Sequence, residues 1–165
     1  MFRTIVVGYG NIDRADDGVA YVLINILRQN LGQKVLSEGD TGLEELGLPV
    51  DSIFLSQLMP EIMETLAAYD RIIFVDAHVD AGAGDLNCLK VTPEYGIASF
   101  THHMTPAGIL AFLQLLYNRD PASYIVSVRG FDFDFKRELS SATSGLIRPA
   151  VEKILQLLQA DCINV

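Results

Sequence analysis

Ile5-Val6-Val7-Gly8-Tyr9-Gly10-Asn11-Ile12-Asp13-Arg14-Ala15-Asp16-Asp17-Gly18 is the stretch on which the fold turns. A short run rich in Ile and Val over residues 3–7 predicts a strand covered on both faces. It breaks at two glycines and is followed by an asparagine, an arginine and a carboxylate pair. From Asp17 the apolar positions Val19, Val22, Leu23, Ile26 and Leu27 recur at helical spacing and predict a helix with one buried stripe. Asp16 is placed to cap that helix, and Leu31-Gly32 to close it. Such a strand–loop–helix unit holds something at its mouth: a phosphate, a metal, or only the chain itself.

Outward from this unit the alternation continues. Lys34-Val35-Leu36 predicts a second strand, with Glu38-Gly39-Asp40-Thr41-Gly42 as a glycine–acid loop at its exit. Leu43 to Leu46 predicts a helical turn ended by Gly47, with a break at Pro49 and Asp51 and a short strand at Ile53-Phe54-Leu55. Pro60 suits the first position of a helix that turns Ile62, Met63, Leu66 and Ala67 inward. Arg71 to Asp76 is the clearest strand, a continuous apolar run ending on an acid, the place where open α/β sheets put site residues. Gly82, Gly84 and Asp85 make a turn before an edge strand over Leu86–Val91. Thr105 and Pro106 then start a helix whose residues Ile109–Leu116 are apolar on almost every side, predicting deep burial. Tyr124–Val128 is the last strand, and Ile147, Ala150, Val151, Ile154, Leu155 and Leu158 stripe a C-terminal helix that contains Pro149. The expectation is one α/β domain over residues 1–165, a three-layer sandwich with a mostly parallel twisted sheet and helices on both faces.

Composition narrows the function. Half of the 165 residues are hydrophobic and 20% are charged, which excludes a disordered chain. A net charge of −9 argues against nucleic acid and anionic membrane as partners. No apolar run reaches the length of a membrane span, and Met1-Phe2-Arg3 leads straight into a strand without the layout of a signal peptide. Cys88 and Cys162, with no CxxC spacing, read as reduced structural thiols, so a cytoplasmic protein is expected.

Three chemistries can be tested on the residues. Gly8-Tyr9-Gly10-Asn11-Ile12-Asp13 has two glycines of a dinucleotide fingerprint but an aspartate at the third, which opposes a pyrophosphate. Asp17, Asp76 and His103 are all expected near the C-terminal edge of the sheet, where two carboxylates and an imidazole would suit Zn, Ni, Mn or Fe. His78 competes with His103, since it shares a strand face with Asp76. His102 reads as a solvated neighbour. Each acid also has a plainer reading, Asp16 and Asp17 as helix-terminus acids and Asp76 as a turn acid. There is no GxSxG or HExxH, and Ser140, Ser141 and Ser144 read as caps, so no covalent nucleophile is expected.

Taken together, Gly8-Tyr9-Gly10-Asn11 with Arg14-Ala15-Asp16-Asp17-Gly18 resembles the N-terminal signature of the nickel–iron hydrogenase maturation proteases. The resemblance continues through Gly39-Asp40-Thr41-Gly42, Val75-Asp76-Ala77, His103 with Thr105-Pro106, and Leu139-Ser140 leading into Pro149-Ala150-Val151, in order and over nearly the whole chain. It implies a phosphorylase/hydrolase-like sandwich and an endopeptidase that removes the C-terminal extension of a hydrogenase large-subunit precursor once nickel is inserted. It implies further that Asp17, Asp76 and His103 are the metal-binding and catalytic residues, and that the nickel comes with the substrate. Ala20 stands where many relatives have glycine, and Asp17 where many have glutamate, giving the carboxylate a shorter reach. Phe131-Asp132-Phe133-Asp134-Phe135 is an alternation that the family pattern does not explain. Without the resemblance, the same residues would also suit a metal- or peptide-binding chaperone.

Overall fold

A computed structural model describes residues 1–96 and 104–160. The opening strand is β1, Thr4–Tyr9, followed by a 3-10 turn at Ala15–Gly18 and helix α1, Val19–Asn30. Strand β2 is Val50–Leu55, and the short helix α2, Met63–Leu66, follows a 3-10 turn that begins at Pro60. Strands β3, Arg71–His78, and β4, Leu86–Lys90, come next, then α3, Pro106–Tyr117, and β5, Ala122–Arg129. Helices α4, Ser141–Ser144, and α5, Ile147–Gln159, end the described chain.

Among the described residues the strands form one sheet in the order β2-β1-β3-β5-β4. All pairs are parallel except β4 with β5; β4 is the edge strand expected of residues 86–91, and it runs antiparallel. The pleat sorts the apolar runs onto two faces. Val6, Ile73, Val75, Val126 and Val128 pack under α1 and α5, while Ile5, Val7, Ile72 and Phe74 pack under α2 and α3. These strands are buried on both sides, which is why their sequences show no alternation of apolar and polar residues. The C-terminal helix keeps its stripe, with Ala150, Val151 and Ile154 buried. Pro149 sits in its first turn, where a missing N–H costs no hydrogen bond.

Four expectations are corrected. Lys34-Val35-Leu36 is not a strand. Its backbone is satisfied by side chains of α1 instead: Asn25 Oδ1 accepts from Leu36 N at 2.7 Å, and Tyr21 Oη donates to Leu36 O at 2.8 Å. The strand beside β1 is β2, which begins at Val50, so Asp51 lies inside it and is buried at the N-terminal edge, where Tyr69 Oη donates to its carboxylate at 2.6 Å. Helix α3 buries only its first two turns: Ile109, Leu110 and Leu113 are at 2% exposure or less, but Leu115 and Leu116 are 61% and 67% exposed. Asp16 does not cap α1. It is fully buried, and its carboxylate accepts from Phe131 N, Asp132 N, Ser140 N and Ser140 Oγ at 2.7–2.9 Å. Burial by itself would raise its pKa, but these donors hold it below the usual carboxylate range.

Candidate active site

The chain leaves β1 through α1 to β2 on one side, and returns through α2 to β3 on the other. The strand order therefore reverses between β1 and β3, and their C-terminal ends form the crevice in which open α/β sheets place ligands. A cleft of about 250 Å³ opens there, lined among the described residues by Tyr9, Gly10, Asp17, Ser56, Gln57, Leu58, Asp76 and Met104. Two of the three expected site residues, Asp17 and Asp76, thus share one cavity. His103 and His102 lie outside the described residues, as does Cys162; Met104, the next residue after His103, stands on the wall.

The glycine loop positions Asp17. Gly10 has φ +150, and a Cβ there would lie 2.1 Å from the Asp17 carbonyl oxygen, so only glycine lets the loop fold back this closely. Asp17 Oδ2 then accepts from Asn11 N at 2.9 Å, and Asn11 Oδ1 accepts from Asp13 N at 2.9 Å. The amide that would serve a phosphate is already bonded to the chain's own carboxylate, which removes the dinucleotide reading. Asn11 itself faces the neighbouring groove with Asp13 rather than this cleft.

Asp76 leaves β3 two residues before its end. Register pairs Gly8 with Val75, which brings Tyr9 alongside Asp76 on the same face, its hydroxyl close enough to the carboxylate for the two groups to influence each other's ionisation. Asp76 Oδ1 also accepts from Ala77 N at 2.7 Å. Burial dominates all the same. It pushes the Asp76 carboxyl up to about 6, against the pull of Ala77 N–H, the Tyr9 hydroxyl and His78, with the negative charge of Asp17 adding to the rise. The Tyr9 phenol is raised far beyond its usual value by its own burial and by Asp76. A carboxyl that titrates near neutral pH beside a second carboxylate can take up and release a proton at working pH.

His78 does not join the pair. Its Nε2 lies 2.7 Å from Gly84 O, so this nitrogen donates and ties the strand end to the following turn, while Nδ1 is buried with no partner among the described residues. Among the described residues no three His, Cys, Asp or Glu side chains come close enough to hold a metal ion. Asp17 and Asp76 are the two carboxylates of this cleft that could contribute ligands to a metal. Tyr9, Ser56 and Gln57 are site residues that the sequence reading missed. A hydroxyl-bearing aromatic directly after a buried apolar run was the one available signal for Tyr9.

The same architecture occurs in solved structures. The hydrogenase maturating endopeptidase HybD from E. coli superimposes with a TM-score of 0.72 at 22% identity, covering 97% of this chain and 94% of that one. The nickel–iron hydrogenase maturation protease HycI from Thermococcus kodakarensis KOD1 gives 0.63 at 21% identity, covering 95% and 92%. The fold is that of the hydrogenase maturation proteases. An endopeptidase from Escherichia coli solved in solution is similar as well, with a TM-score of 0.68 at 21% identity over 97% of this chain and 94% of that one. At these identities the likeness is one of fold. No protein-family model matches the chain, and no curated protein is similar to it at a significant level. Among the described residues no helix is long and apolar enough to cross a membrane.

Proposed function

We propose that the cleft is the active site of an endopeptidase that removes the C-terminal extension of a nickel–iron hydrogenase large-subunit precursor after nickel insertion. The observation that carries this reading is the Asp17–Asp76 pair at the β1/β3 switch point, with one member titrating near pH 6. The nickel is part of the substrate. Asp17, Asp76 and His103 complete its coordination, which seats the peptide bond that follows and supplies rate through proximity. Asp17 Oδ2 is engaged by the Asn11 amide, leaving Oδ1 to accept the proton of an attacking water. When Asp76 is not held by the metal, its carboxyl gives its own proton to the leaving amine, and the proton taken up by Asp17 passes to solvent as the products leave. A precursor without nickel offers nothing to coordinate and is left intact, so the site doubles as a check on metal insertion. The reaction belongs to the cytoplasm, where large subunits mature.

Purified protein incubated with nickel-loaded precursor tests this by mass spectrometry. A shortened large subunit supports the peptidase, whereas stable co-elution without cleavage supports a chaperone on the same scaffold. Wild-type rates in Asp17→Asn, Asp76→Asn and His103→Ala alike would remove the site from the chemistry.

A further inference from the structure

Three cavities meet where the chain leaves β2. The Asp17/Asp76 cleft shares Ser56 and Gln57 with a second pocket of about 250 Å³, walled by Leu43, Leu55, Met59, Ile62 and Thr65. It shares Gly10 and Ser56 with a third groove, between Asn11–Asp13 and Gly39–Thr41. The second pocket is apolar although it opens directly from a polar cleft. Its back wall is the lower core, where Ile62 is 5% exposed, and its rim carries Met59 at 43% exposure. An exposed, flexible thioether over an unfilled apolar cavity suits a visiting side chain better than a closed core. Charge adds a second constraint. Asp13, Asp17, Asp40, Glu61 and Asp76 line the three cavities, and no lysine or arginine does so among the described lining residues.

We infer that the Leu43–Leu55–Met59–Ile62 pocket is a subsite for the substrate polypeptide, taking one bulky apolar side chain from a segment that carries no acidic residue. The inference rests on the peptidase reading for its context. Because Ser56 and Gln57 wall both cavities, the side chain in the pocket belongs to a residue within one or two positions of the bond held between Asp17 and Asp76. The apolar wall selects for size, and the acids around it repel Asp and Glu.

The probe is a set of capped tetrapeptides, acetyl-Ser-Gly-Xaa-Gly-amide with Xaa as Leu, Ala or Glu, titrated into the labelled full chain and followed by amide chemical shifts. The Leu peptide is expected to shift Leu43, Ser56, Gln57, Met59 and Thr65. Its affinity should exceed that of the Ala peptide about tenfold or more, the discrimination that a lost pocket contact of this size gives, with no saturable binding of the Glu peptide. Met59→Glu should abolish the response and Met59→Leu should restore it, with unfolding curves confirming that both variants fold. Equal shifts for Leu and Ala, or shifts elsewhere on the surface, overturn the assignment. So do shifts at these residues that depend on protein concentration without peptide, which mark a second copy of the chain as occupant. Leucine-selective binding by a protein that never shortens the precursor keeps the subsite and rejects the peptidase. Cleavage without leucine selectivity does the reverse.

Discussion

Replacing Asp76 by asparagine should make the metal-free protein more stable at neutral pH while disabling it. The Asp76 carboxyl is raised to about 6 by burial, with Asp17 adding to the rise. The native state therefore prefers the protonated form, and that preference contributes stability fully below the unfolded value near 4. The contribution is lost as pH rises through 6, above which the ionised carboxylate weighs against folding. A rise from about 4 to about 6 corresponds to about 3 kcal/mol, an upper figure because the group is half-buried and partly screened. Asparagine keeps an oxygen that can accept from Ala77 N–H, and it has no proton to lose. Urea unfolding in EDTA from pH 4.5 to 8.5 should show the two proteins close together at the acid end. By pH 8 the variant should be ahead by roughly 2–3 kcal/mol, or on the order of 5–10 °C in Tm for a domain of this size. Parallel curves, with a constant offset of either sign, would mean that Asp76 does not titrate as its surroundings require, and the proton-transfer role would lose its basis.

Other outcomes follow from the same geometry. Asp16→Ala leaves three backbone N–H groups and the Ser140 hydroxyl without their acceptor, so stability should fall by roughly 3–5 kcal/mol, with faster hydrogen exchange at Phe131, Asp132 and Ser140. Because the Asp16 pKa is lowered, its stabilisation is present above about pH 4 and is lost as pH falls through the native value; Asp16→Asn should flatten that acid limb. Gly10→Ala forces a Cβ onto the Asp17 carbonyl at φ +150, so it should cost more than about 1 kcal/mol and displace the Asn11–Asp17 hydrogen bond, visible as an Asn11 amide shift. Phe74→Ala, at a fully buried position of β3, should cost roughly 3–5 kcal/mol in urea unfolding.

The fold was legible where a single local cause decides an element. Ile5–Val7 and Arg71–Val75 read as strands because parallel strands buried on both faces carry unbroken apolar runs, and Thr105-Pro106 read as a helix start because its cap is local: Thr105 Oγ1 accepts from Gly108 N at 3.0 Å. Distant partners defeated the reading elsewhere. The Leu36 amide and the Lys34 and Leu36 carbonyls are bonded by side chains of α1, and the Asp16 carboxylate is bonded by residues 115–124 positions later. The apolar end of α3 is a pattern without a partner among the described residues, so composition alone overstated its burial. In the site, Asp17 and Asp76 were visible as acids at a helix start and at the end of an apolar strand, but the nearness of Tyr9 depends on the β1–β3 register, and Ser56 and Gln57 depend on where β2 ends.

Single-turnover processing of nickel-loaded large-subunit precursor by the wild-type protein and by folded Asp76→Asn, followed by intact mass, tests the central claim most directly. The account predicts that the wild type releases the C-terminal peptide and that the variant is slower by about 10²-fold or more, the contribution of one positioned acid–base group. Equal rates for the two proteins, or no release by the wild type, would contradict it.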